Sequence, residues 1–505
     1  MLASLPHMTQ RSPHNSLAMV RSDNTTFRAK RRALFFGVLV CVMVSLLFIT
    51  SCSASETPQE EVAEAPTDRP NIVFILTDDL DFASASKTPQ IRSRLIEEGT
   101  SFEKAFVSLA LCCPSRATIL TGLYAHNHDV THNEAPAGGF QKFVDEGHEE
   151  NTIAVRLQEG GYQTAFFGKY LNDYPGDEES TYIPPGWDEW YGKHGHREHQ
   201  PYRYKINENG QVVSYGNNTE DYYSDVLSRQ ATDFVGRTAE DSRPFFMFVA
   251  PTAPHGPATP AERHKGAFAS EEGPRPPSFD EEDVSDKPTY VSSLDRISEE
   301  EASAIDEYYR ERLESMLAVD EMVASLIQEL EAAGKLDNTY IFFTSDNGWE
   351  QGEHRMRKGK VRPYEESVRV PLFVRGPGAA PGSTIEKLTL NTDFAPTIAE
   401  LAGIEFLTDG RSLAPLLRGE DPPWRSVVLL EKFGGGEYKG VRTETHKYVE
   451  YSDGPKELYD LEADPYELDS LHESADPSLL EDLKAKLDVL KNCSNKGCQE
   501  AEDVP

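Results

Sequence analysis

Along this chain, short uncharged apolar runs alternate with stretches whose apolar residues recur every three to four positions. Asn71-Ile72-Val73-Phe74-Ile75-Leu76-Thr77 lies between Pro70 and Asp78, and Thr164–Phe167, Phe245–Val249, Tyr340–Thr344 and Leu372–Val374 have the same character. Runs this short, with no polar alternation, predict strands buried on both faces, as in a parallel sheet. Between them, Pro89–Glu98 closes at Gly99, Thr152–Gln158 at Gly160, and a long amphipathic stretch from Ser303 to Ala333 at Gly334. Each predicts a helix ended by glycine. The alternation predicts an α/β fold: a large central sheet, mostly parallel or mixed, sandwiched by helices.

After Pro423 the pattern changes. Ser426–Glu431, Tyr438–Arg442 and Lys447–Tyr451 read as short strands with turn residues between them, and Pro477–Lys491 as an amphipathic helix. A smaller C-terminal α+β domain is expected over 421–492, following a main domain over 69–420 and leaving 493–505 as a tail.

The N-terminal pattern is of another kind. Basic Arg28-Ala29-Lys30-Arg31-Arg32 precedes an uncharged apolar run from Ala33 to Thr50, and Cys52 follows directly. A basic segment before an apolar one reads as an export signal, and the run is also long enough to anchor in a bilayer. Ile49-Thr50-Ser51-Cys52 resembles a bacterial lipobox, which would make Cys52 a lipidated mature N-terminus. Residues 1–52 are therefore expected to be a leader, and the protein extracytoplasmic. A cell-surface lipoprotein, a secreted protein and a signal-anchored one are the alternatives, and membrane contact is expected only through leader or lipid. Residues 53–68 are small, acidic and Pro-containing, the composition of a flexible linker.

Charge narrows the partners. The 505 residues carry 50 basic and 85 acidic side chains, a formal charge of −35, which excludes a nucleic-acid partner as the simple reading. An anionic substrate then needs a local basic patch. Five cations stand within Arg355-Met356-Arg357-Lys358-Gly359-Lys360-Val361-Arg362. Of the six cysteines, Cys493 and Cys498 flank a short loop compatible with a small disulfide in an oxidising compartment.

Two strand ends carry paired oxygen ligands: Asp78-Asp79 and Asp346-Asn347. A lone Asp-Asp after a strand is ordinarily a turn or helix cap. Two such pairs at strand ends supply hard donors suited to calcium or, less well, magnesium, rather than zinc. Lys169 and His255 also follow strands. In Leu111–Gly122, Ser115 is expected to cap a helix that Gly122 ends, and Arg116 offers a planar fork for an oxyanion. The adjacent Cys112 and Cys113 read most simply as a buried pair beside a helix cap, with a thiolate nucleophile as the alternative.

The string Cys112-Cys113-Pro114-Ser115-Arg116-Ala117-Thr118-Ile119-Leu120-Thr121-Gly122 resembles the signature Cys-x-Pro-Ser-Arg-x-x-x-Leu-Thr-Gly of the type I sulfatases, of the alkaline phosphatase-like superfamily. The resemblance extends over roughly residues 69 to 490. Gly168-Lys169-Tyr170-Leu171-Asn172 with Ala125-His126-Asn127-His128 is similar to the N-acetylglucosamine-6-sulfatase branch, and Glu457-Leu458-Tyr459-Asp460-Leu461 to the family's C-terminal domain with its small antiparallel sheet. The resemblance implies a sulfatase whose Cys112 is converted to formylglycine by a formylglycine-generating enzyme. It also implies a calcium ion held by Asp78, Asp79, Asp346 and Asn347 beside Cys112. Cys112, Arg116, Lys169, His255 and Lys360 take the catalytic roles. Lys169, His255 and Lys360, with His126 and His354, take substrate-binding ones, on a sulfated carbohydrate. Leu171 stands where many members have a histidine that helps expel sulfate, and His126, His128 and His354 are the candidates to replace it. A phosphonate or phosphate ester hydrolase and an inactive glycan-binding surface protein are the rival expectations.

Overall fold

In the computed structural model, which describes residues 69–503 except 177–179 and 196–198, ten strands form one mixed sheet. The expected leader and acidic linker lie outside the described residues. From one edge the strands run Ser383–Ile385, Thr100–Phe102, Leu372–Arg375, Thr339–Ser345, Asn71–Thr77, Phe245–Ala250, Gln163–Gly168, Glu189–His194, Lys205–Glu208 and Gln211–Ser214. The five strands from Thr339–Ser345 to Glu189–His194 are mutually parallel. The five expected strands occupy the middle of the sheet. The sequence reading missed short or polar members such as Glu189–His194 and Lys205–Glu208, which carry no apolar run.

Alternation along Asn71–Thr77 shows why the strand is apolar throughout. Ile72, Phe74 and Leu76 join a cluster with Ala117, Leu120, Phe394 and Ile398 on one face. Val73 and Ile75 pack with Val226, Val319 and Val323 on the other. Helices Cys112–Thr121 and Phe394–Leu401 cover the first face, and Tyr223–Arg237 and Glu299–Ala332 the second. Burial on both sides removes the polar face that an open sheet would show.

Three helix expectations need correction. The long helix begins at Glu299, ahead of Ser303, because Ser298 and Glu301 form a capping box. The segment expected as a helix over Pro89–Glu98 is a short turn, Pro89–Ile91, running into a π-helical turn, Arg92–Ile96. Ser115 is not a cap. The helix starts three residues earlier at Cys112, after extended Leu111. Its early donors are met otherwise: Asn133 Oδ1 accepts from the Cys113 N–H at 2.9 Å, and Pro114 has none to satisfy. Gly122 does end it, at φ 70°, where a Cβ would stand 2.5 Å from the Thr408 methyl.

The C-terminal strands Val427–Lys432, Tyr438–Thr443, His446–Tyr451 and Lys456–Asp460 form an antiparallel meander. Helix Pro477–Leu490 contributes Leu483, Leu487 and Leu490 to the apolar cluster that also holds Val428 and Leu430. Cys493 and Cys498 form a disulfide. Among the described residues, no helix is long and apolar enough to cross a membrane.

Candidate active site

The parallel strands end together, and the expected residues leave them there, where open α/β sheets place their sites. Thr77 leads to Asp78 and Asp79, Gly168 to Lys169, and Ser345 to Asp346 and Asn347. Consecutive residues of a strand point to opposite faces, yet both aspartates face one centre. Asp79 adopts φ 66°, in the left-handed region, which turns the chain and brings the second carboxylate round. Gly168 is equally constrained: a Cβ there would stand 2.1 Å from the Ala250 carbonyl oxygen.

Cys112 enters this cluster from the helix start. Its Sγ lies 3.4 Å from Asp78 Oδ1 and 4.0 Å from Asp79 Oδ1, and Lys360 Nζ stands 2.8 Å from it. Cys113 turns the other way, into the apolar cluster with Ala117 and Leu120. The neighbours are thus chemically distinct.

Three carboxylates and three cations interlock, all buried except Lys360, whose side chain is 11% exposed. Lys169 Nζ donates to Asp78 Oδ2 at 2.7 Å, Arg116 Nε to Asp346 Oδ2 at 2.8 Å, and Lys360 Nζ to Asp79 Oδ1. Arg116 Nη1 also donates to the Lys169 carbonyl at 2.6 Å, fixing its fork. Burial raises the Asp78 carboxyl, but Lys169, His255 and Arg116 outweigh it and hold the group well below the usual carboxylate range. Burial pushes the Cys112 thiol up, against the pull of Lys169 and Lys360. A protonated thiol is a poor nucleophile, so burial by itself works against a plain thiolate at Cys112.

The donor set fits a hard divalent cation. Asp78, Asp79, Asp346 and Asn347 are fully buried, and Asp79 Oδ2 accepts no hydrogen bond, a cost that a buried carboxylate oxygen does not ordinarily bear. Ligand atoms of Asp78, Asp79, Cys112 and His255 lie within 4.8 Å of one another.

His255 reaches the same centre. Its Nδ1 donates to the Gly256 carbonyl at 2.7 Å, leaving Nε2, 3.5 Å from Asp79 Oδ2, to exchange the second proton. Sequence reading missed His199, whose ring stacks on His255 at 3.6 Å and 8°. His199 Nε2 lies 2.8 Å from Lys169 Nζ. It follows strand Glu189–His194, which carries no apolar run, and sits in no motif, so no local signal marks it. Leu171 is buried in the apolar cluster and offers nothing polar.

Three other expected histidines lie outside this cluster. His126 is held by Glu431 Oε2 and the Cys493 carbonyl, both at 3.0 Å. His128 is bound by Thr118 Oγ1 and the Val130 N–H. His354 is buried against Glu281, 2.6 Å from Nδ1, and Tyr364. The substrate-binding expectation for His126 and His354 gains no support from these contacts. Of the basic run, Lys360 alone contacts Cys112. Arg355 donates to the carbonyls of Glu281, Glu282 and Leu294, and Arg357 pairs with Glu301. These two build the loop.

Comparison with known proteins gives a consistent picture. The sulfatase family profile matches residues 70–404, and that of the N-sulphoglucosamine sulphohydrolase C-terminal region matches 352–493. N-acetylglucosamine-6-sulfatase of Homo sapiens is 35% identical over 481 residues, covering 86% of this chain and 87% of the relative. N-acetylglucosamine-6-O-sulfatase of Bacteroides thetaiotaomicron is 30% identical over 515 residues, covering 86% and 87%. A protein solved with its substrate D-glucosamine-2-N,6-O-disulfate superposes with TM-score 0.72 at 27% identity, over 86% of this chain and 98% of that one. A phosphonate monoester hydrolase of Agrobacterium radiobacter, at TM-score 0.63 and 23% identity, covers 83% of this chain and 94% of its own, and shares the fold.

Proposed function

The chain belongs to the sulfatase family, and from that premise we propose that it removes a 6-O-sulfate from a glucosamine-type sugar. Cys112 would be converted to formylglycine by a formylglycine-generating enzyme. The modified residue would supply, once hydrated, a pair of hydroxyls, one as the nucleophile toward sulfur and one able to release the sulfate afterwards. Asp78, Asp79, Asp346 and Asn347 would hold a calcium ion, which supplies positive charge to the ester oxygens.

The chain's own residues do the rest. Arg116, Lys169 and Lys360 balance the three aspartates charge for charge, so a bound divalent cation leaves a net positive centre facing an anionic ester. That excess is fixed before the substrate arrives, the condition under which electrostatic stabilisation of a transition state is strongest. His255, oriented through Nδ1, is placed to give the proton on Nε2 to the departing sugar oxygen. His199 backs that ring.

The observation that carries this reading is the meeting of Cys112, Lys360 and Asp78–Asp79 at the strand ends. Relatives named for N-acetylglucosamine-6-sulfate chemistry support the sugar. The test is sulfate release by the purified, formylglycine-bearing protein from a panel of sulfated sugars, alongside matched phosphate and phosphonate esters. Greatest kcat/KM on a 6-O-sulfated glucosamine is expected. A preference for a phosphorus ester, or binding without release, would replace the proposal with one of the two rival readings.

A further inference from the structure

Beside the reactive centre a second cavity opens, of about 320 Å³, lined by Lys360, Arg362, Lys432, Tyr290 and Tyr438 together with short backbone stretches. Three parts of the chain build it, Tyr290 coming from the short helix Thr289–Ser292. Lys360 and Arg362 come from the basic run, and Lys432 and Tyr438 from the two strands of the first C-terminal hairpin. Lys360 joins the cavity to the centre, since its Nζ is the atom 2.8 Å from Cys112 Sγ.

The lining is cationic in a protein of charge −35, and no carboxylate belongs to it. Arg362 has its counter-charge outside the lining: Nη1 donates to Glu350 Oε2 at 2.7 Å. Among the described residues Lys432 has a neutral partner alone, the Gly435 carbonyl at 2.6 Å. The turn that supplies this carbonyl runs through Gly434 and Gly436 at φ 77° and 68°. Burial, and then the repulsion of Arg362, push the Lys432 ammonium below the ordinary lysine range, as expected of a half-buried cation without a counter-charge. Tyr438 is 1% exposed, and its hydroxyl has no hydrogen-bond partner. Among the described residues, Lys432 is thus a cation of this lining with no counter-ion.

We propose that this cavity is a second-anion subsite, which takes a sulfate or carboxylate carried by the sugar whose ester is cleaved or by its neighbour. The proposal rests on the sulfatase reading above. Lys432 is its primary contact, with Arg362 completing the cradle. The enzyme would therefore favour sugars bearing two anionic groups over singly sulfated ones.

The test compares three substrates with the full-length modified enzyme. They are D-glucosamine-2-N,6-O-disulfate, N-acetylglucosamine 6-sulfate, and a disaccharide placing a uronate beside a 6-sulfated N-acetylglucosamine. At least one doubly anionic substrate should exceed the singly charged one in kcat/KM by about 10- to 100-fold, the worth of one charge-assisted hydrogen bond. The N-sulfated or the uronate arm identifies which anion is taken. Lys432→Met should collapse that ratio through KM, and Lys432→Arg should retain most of it. An unchanged ratio in Lys432→Met, or no preference for either doubly anionic substrate, overturns the subsite. Failure of the unsubstituted enzyme to release sulfate from all three overturns the sulfatase reading and the subsite with it.

Discussion

Lys360 Nζ and Cys112 Sγ stand 2.8 Å apart, although 248 positions separate them in the chain. The fold brings them together through the strand pair Asn71–Thr77 and Thr339–Ser345, which run side by side from Asn71↔Thr339 to Thr77↔Ser345. Their shared end places Asp79 and Asn347 in contact, Asn347 Nδ2 donating to Asp79 Oδ1 at 2.7 Å. The ligand set and the reactive side chain therefore depend on one register. A slip of a single residue would turn every one of these groups to the other face.

Removal of divalent metal is expected to abolish turnover, and calcium to restore it. Without the ion, the ester meets three aspartates balanced by only three cations. Calcium should also raise the melting temperature, because a ligand that binds only the folded state stabilises it. Asp346→Ala should lose both effects while keeping its far-UV spectrum. Full turnover in a chelated, metal-free sample would remove calcium from the site.

His255→Ala should slow sugar sulfates far more than an activated aryl sulfate, by the roughly 10²–10⁴-fold that general acid catalysis contributes. A good leaving group needs little protonation. His199→Ala should show the same selectivity at smaller size for the ring stacked on His255, together with a loss common to both substrates from the Lys169 partner that it removes. Measuring kcat on both substrate types decides this. Equal losses on the two would take both histidines out of leaving-group protonation.

Acid stability should depend on Glu431. Burial raises this carboxyl, but His126 and Lys439 outweigh it and hold it at about 2, against 4.5 ordinarily. A depressed carboxyl stabilises fully above its unfolded value and loses that contribution as pH falls through the folded one. The loss should therefore run from about pH 4.5 down towards 2, and amount to something on the order of 3 kcal/mol. His126 has the opposite sign: its value is raised by Glu431 against burial, so its contribution is full below 6.5 and fades as pH rises. Denaturant unfolding across pH 3–7 should show this acid limb, and Glu431→Gln should flatten it. Identical slopes in the two proteins would exclude the pair as its source.

How far the sequence could be read follows from the length scale of each signal. Buried parallel strands announce themselves as uninterrupted apolar runs, and residues such as Asp78, Lys169 and Asp346 were legible because each ends such a run. The motif around Cys112 was legible as a string, but the true helix start was not, because Asn133, twenty residues away, supplies the cap. His199 and Lys432 could not be found at all. Each reaches its neighbours by tertiary packing between segments with no shared pattern, through a loop near strand Glu189–His194 and a glycine turn in the C-terminal sheet. The basic run misled in the other direction: charge density does not say which cation points inward. Arg355 and Arg357 are consumed by loop carbonyls and Glu301, and Lys360 alone of the five touches Cys112.

The final prediction separates the two adjacent cysteines. Cys112 faces Asp78, Asp79 and Lys360, and Cys113 faces the apolar cluster. Cys112→Ala should eliminate sulfate release with little change in stability, since the side chain serves chemistry rather than packing. Cys113→Ala should keep the chemistry and lose stability, by about 1–2 kcal/mol for one small buried group. Cys113→Ser should cost no more, since the backbone of Asn172 and Gly139 already reaches the side chain there. Mass spectrometry of the tryptic peptide ending at Arg116 should show the aldehyde in place of the thiol at Cys112 and an unmodified Cys113. An active protein with an intact Cys112 thiol would restore a thiolate mechanism.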